Sequence, residues 1–96
     1  MLFHAIHRHT HETCSAHKPD NQAQFEKAFK SADEIGIDII GMYVDAPGHS
    51  TYFILEADSS LQIAKFFDPI LELGDTEIKP VSDATKLLEQ LRQEQQ

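Results

Sequence analysis

The chain is short of the residues that mark most functional classes. It has one cysteine in 96 residues, which rules out an intrachain disulfide and suits a reducing compartment. Basic residues number 8 against 16 acidic ones, for a net charge of -8, and they are scattered along the chain. Such a field repels nucleic acid and anionic lipid and attracts cations. No run of about twenty apolar residues is present, so no membrane-spanning segment is expected. Met1-Leu2-Phe3-His4 has no basic region, apolar stretch or small-residue cleavage site of a secretory signal, so a cytoplasmic location is the expectation. The four glycines form neither a phosphate loop nor a dinucleotide fingerprint.

Histidine, in contrast, is concentrated near the start. Four of the six histidines and the only cysteine fall in His7-Arg8-His9-Thr10-His11-Glu12-Thr13-Cys14-Ser15-Ala16-His17. Imidazole and thiolate are the donors that zinc, copper, nickel and iron select. The chain as a whole has the composition of one small domain, 41% hydrophobic, spanning residues 1–96.

The hydrophobic pattern gives the order of elements. Leu2 to Thr10 alternate as a strand, with Phe3, Ala5, His7, His9 and His11 on one face and Leu2, His4, Ile6, Arg8 and Thr10 on the other. A helix is predicted from Asn21 to Ile35, with Asp20 as N-cap and Gly36 as stop. Its apolar stripe is Ala23, Phe25, Ala28, Phe29, Ala32 and Ile35. Ile37 to Asp45 and Ser50 to Ala57 form a hairpin around the turn Ala46-Pro47-Gly48-His49. Asp58-Ser59-Ser60 caps a short helix carrying Ile63, Phe66 and Phe67, which breaks at Pro69. Thr76 to Val81 is a fourth strand. Ser82 opens an amphipathic helix with Leu87, Leu88 and Leu91, and a polar tail from Gln93 to Gln96 is expected to fray. This order is the split βαβ pattern of an α+β, ferredoxin-like domain, a four-stranded antiparallel sheet with helices on one face. The other face needs a cover, and a second copy of the chain is the simplest one.

The segment from Gly41 to Asp58, Gly-Met-Tyr-Val-Asp-Ala-Pro-Gly-His-Ser-Thr-Tyr-Phe-Ile-Leu-Glu-Ala-Asp, resembles the dimeric α/β-barrel superfamily. The opening Met1-Leu2-Phe3 and the turn at Glu56-Ala57-Asp58 resemble a branch of small domains of unknown function within it. The likeness covers about Met1 to Val81. It implies a fold and a homodimer, and it leaves the chemistry open, because the superfamily includes monooxygenases, isomerases, haem-degrading enzymes and ligand-binding modules.

The histidine segment carries the functional expectation. His9 and His11 lie two apart on a strand and project to one side. Cys14 and His17 come next, at spacings of three, in the loop. The pattern His9-x-His11-x2-Cys14-x2-His17 supplies three nitrogens and one sulfur, a complete tetrahedral set for zinc. His7, one step deeper, is a replacement donor or a partner that orients another ligand. The expected metal residues are therefore His7, His9, His11, Cys14 and His17, with zinc first and copper, nickel or iron as rivals. Four protein ligands would make the site structural or metal-handling; three would leave a water and open hydrolytic or redox chemistry. His4 on the opposite face is expected to be packed, and His49 in the hairpin turn to be exposed. Two rival readings remain. One is a barrel enzyme acting on a small organic molecule between sheet and helices, with His7, His9 or Tyr52 as acid/base groups. The other is a non-catalytic ligand-binding or interaction module whose histidines are bystanders.

Overall fold

The structure, a computed structural model, describes residues 1–95. The last residue of the expected frayed tail, Gln96, lies outside the described residues. The elements run β1 (Leu2–Arg8), α1 (Pro19–Lys30), α2 (Ala32–Ile35), β2 (Asp38–Asp45), β3 (Ser50–Glu56), α3 (Ser60–Phe67), a 3-10 turn (Asp68–Leu73), β4 (Asp75–Val81) and α4 (Ala84–Glu94). The sheet order is β2-β3-β1-β4 with every neighbouring pair antiparallel. This is the ferredoxin-like α+β architecture that the pattern predicts.

The core lies on the face of the sheet beneath α1 and α3. β1 contributes Phe3, Ala5 and His7, β3 contributes Phe53 and Leu55, and the helices contribute Phe25, Ala28, Ile63, Phe66 and Phe67. Phe53 sits edge-on to both Phe66 and Phe67, with centroids at 5.9 and 5.3 Å. Edge-to-face packing of this kind adds to the area that each ring buries.

Several boundaries differ from the sequence reading, each for a local reason. β1 ends at Arg8 rather than Thr10, because the chain beyond leaves β4, keeps a backbone bond to the hairpin from His9 N–H to the His49 carbonyl at 3.0 Å, and then turns at Thr10–Thr13. The first helix starts at Pro19, not Asn21. Proline suits the first helical position, where its missing N–H is no loss, and Lys18 rather than Asp20 precedes it. The helix is interrupted at Ser31, whose hydroxyl donates to the Ala28 carbonyl at 2.7 Å. The short α2 then ends at Gly36 in the left-handed region, φ 90°.

α3 opens with a full capping box. The Ser59 hydroxyl accepts from Gln62 N–H, and the Gln62 side-chain oxygen accepts from Ser59 N–H. Ser59→Ala is expected to lower stability by about 1 kcal/mol. Urea denaturation would show this as a lower midpoint with an unchanged slope.

Among the described residues, no layer covers the opposite face of the sheet. His4 lies on it, as expected, stacked on Tyr52 with centroids 6.5 Å apart. α4 buries no residue, and Leu87, Leu88 and Leu91 are 44%, 61% and 44% exposed. The radius of gyration is 15.5 Å, against about 12.5 Å for a compact domain of this length. No helix among the described residues is long and apolar enough to cross a membrane.

Candidate metal centre

The C-terminal end of β1 places the histidines. Strand alternation turns His7 into the core, where it is 0% exposed. His9, two residues on, points to the same side. β1 pairs with β3 in the register Arg8↔Ser50. The next opposed pair in that ladder is His9 and His49, and directly opposed side chains share a face. Their rings meet edge-on at 5.1 Å, with His49 Nδ1 3.3 Å from His9 Nε2. His49 is therefore half-buried beside His9 rather than exposed in the turn.

The loop after β1 brings the thiol back to this pair. Thr10 and Thr13 close a turn, with Thr10 N–H donating to the Thr13 hydroxyl at 3.1 Å and Thr13 N–H to the Thr10 carbonyl at 3.2 Å. Two side-chain amides from the first turn of α1 tie down the rest of the loop. Asn21 donates to the Thr13 carbonyl at 3.1 Å, and Gln22 to the Ala16 carbonyl at 3.2 Å. Cys14 lies between these two anchors. Donor atoms of His9, Cys14 and His49 all fall within 4.8 Å of one another.

Of the five residues expected from sequence, the structure brings His9 and Cys14 together and adds His49. His11 and His17 are exposed and stand outside this cluster. The strand ends before His11 and the loop turns at Thr10–Thr13, so the spacing that put His11 beside His9 no longer applies. His7 stands behind the cluster, its ring 6.3 Å from that of His9. Tyr52 pairs with Ile6 on the uncovered face of the sheet and is no candidate acid or base for this centre.

Two nitrogens here are buried without a hydrogen-bond partner, His7 Nε2 and His9 Nδ1. The other nitrogen of His7 is bonded to the Thr76 hydroxyl at 3.0 Å. Orphaned buried donors and acceptors are rare and concentrate where chemistry or a bound group explains them. Burial lowers the pKa of His9, and the neighbouring His49 lowers it further. Burial also lowers that of His7, reinforced by His9 and opposed by Asp75. Both effects favour neutral imidazole, the form that binds a metal.

Gly74, just before β4, is part of this arrangement. A Cβ there would overlap the Arg8 carbonyl oxygen and stand 3.1 Å from His7 Nε2. Nothing in the linear pattern marks Gly74, Asn21 or Gln22. The signal for His49 lay in the strand order: with β1 beside β3, the end of one meets the start of the other.

No curated protein is similar enough to match this chain. Over residues 1–95 the sequence matches the family described as the domain of unknown function DUF3303, and the chain belongs to that family.

Proposed function

We propose that the chain binds one transition-metal ion through His9, Cys14 and His49, with zinc first and copper, nickel or iron as rivals. The observation that carries this reading is the convergence of two imidazoles and one thiol within 4.8 Å, from a strand end, a loop and a hairpin turn. Metal–donor lengths of about 2.0–2.1 Å to nitrogen and 2.3 Å to sulfur put tetrahedral donors roughly 3.3–3.6 Å apart. The His9–His49 separation of 3.3 Å already has that value. With all three donors within 4.8 Å of one another, Cys14 needs to close by at most about 1.3 Å on this scale, a movement within reach of a loop side chain. A thiolate ligand suits a reducing compartment. Three protein donors leave a fourth position for water or another ligand.

The same reading includes a homodimer. The uncovered sheet face, which carries Tyr43 and Tyr52, and the leucine stripe of α4 are apolar surfaces that a second copy would bury. This is also the assembly that the resemblance to dimeric α/β barrels implies.

The test is elemental mass spectrometry of untagged protein, stripped with chelator, reloaded with zinc and desalted. Close to one zinc ion per chain is the expected result. Protein that emerges metal-free would sink the reading.

A further inference from the structure

Resting on the metal reading above, we infer that the centre takes as its fourth ligand a small, uncharged apolar molecule with one metal-binding head group. A cavity of about 400 Å³ opens onto His9 and Cys14. Its remaining walls are mostly apolar, with Phe25 and Phe29 of α1 and Met42 and Val44 of β2, and among the described residues no Lys, Arg, Asp or Glu lines it. Met42 and Val44 lie on the core side of the sheet, paired with Phe53 and Thr51. Yet they are 42% and 67% exposed. The layer between helix and sheet thus has an apolar gap where a core would normally close. At one end of that gap stand the two donors.

The dimensions and polarity define the ligand. An apolar cavity of about 150 Å³ accommodates a benzene ring. The present volume of about 400 Å³ therefore takes a ring with a short linker, or a branched chain of comparable bulk. The walls offer no counter-charge, so the body of the molecule is neutral. Its head is a thiol or another group that binds a borderline-soft metal as an anion. On binding, the head group's proton passes to solvent and a metal–donor bond replaces the metal–water bond. The apolar body enters between Phe25, Phe29, Met42 and Val44 and displaces poorly held water.

The test uses the cobalt(II)-loaded protein, whose visible bands report the coordination shell. Two probes share a head group and differ in the tail, 2-phenylethanethiol and 2-mercaptoethanol. The expected result is that both shift the cobalt bands, the phenyl compound at a concentration lower by about thirtyfold, as burial of one aromatic ring predicts. Val44→Asp, at an exposed edge-strand position, is expected to erase that preference. Equal affinity of the two thiols, or a preference that survives Val44→Asp, would overturn the cavity inference and leave the metal reading standing. Absence of any cobalt–thiolate absorption would overturn both.

Discussion

Replacing His49 with glycine is expected to weaken zinc binding by at least about a hundredfold, the upper end of the loss seen when a group merely supporting a ligand is removed. The metal-free fold is expected to be as stable as before, or more so. His49 has φ 53°, in the left-handed region where a side chain is disfavoured. Glycine adopts that conformation without steric cost. The backbone carbonyl that receives His9 N–H at 3.0 Å is retained, so the ladder between β1 and the hairpin survives. A histidine at a position that suits glycine is a local conflict of the kind that collects at functional sites. The companion variant is His11→Ala/His17→Ala. Both side chains are exposed and stand apart from the cluster, so zinc affinity should stay within about threefold of the original. Competition with a chromophoric chelator measures the affinities, and thermal unfolding in chelator measures the metal-free stability. The opposite pattern, with His49→Gly neutral and the double variant crippled, would replace the folded cluster with the local set His9, His11, Cys14 and His17.

That contrast shows where sequence reading succeeds and where it stops. Strand alternation put His7 and His9 on one face with Phe3 and Ala5, a consequence of the backbone period alone, and that face is the core side. The helical stripe likewise placed Phe25 and Ala28 inward, and Phe66 and Phe67 filled the core because nothing else in their short helix is as large. A split βαβ unit sets β1 between β3 and β4, and the sheet has that order. Register was the missing quantity. Once Arg8 faces Ser50, His49 must face His9, but no local rule fixes that pairing to the residue. The loop was illegible for a different reason. Its course is set by Asn21 and Gln22 reaching back to the carbonyls of Thr13 and Ala16, and amide side chains at a helix start have many other possible partners. Local spacing pointed to His11 and His17, whose place beside His9 depends on the strand continuing beyond Arg8, and in the fold both stand outside the cluster.

Gly74→Ala tests whether the same packing that builds the sheet also sets the metal centre. The added methyl would collide with the Arg8 carbonyl oxygen, a backbone atom held between two paired strands, and would crowd His7 Nε2 at 3.1 Å. A side-chain tip could swing aside, but the end of β1 cannot move without breaking its bonds to β3 or β4. Overpacking against such a fixed neighbour costs on the order of 3 kcal/mol. For a domain of this size that corresponds to a fall in melting temperature of roughly 10–20 °C. The displacement reaches His9, one residue beyond Arg8, so zinc affinity should fall as well. Ser59→Ala, whose hydroxyl bonds only within its own capping box, separates the two effects: it lowers stability by about 1 kcal/mol and should leave zinc affinity unchanged. If Gly74→Ala unfolds at the same temperature as the parent, β4 and the end of β1 are not locked together. If it is destabilised but binds zinc normally, the centre is set by the loop and the hairpin, and β4 takes no part in aligning it.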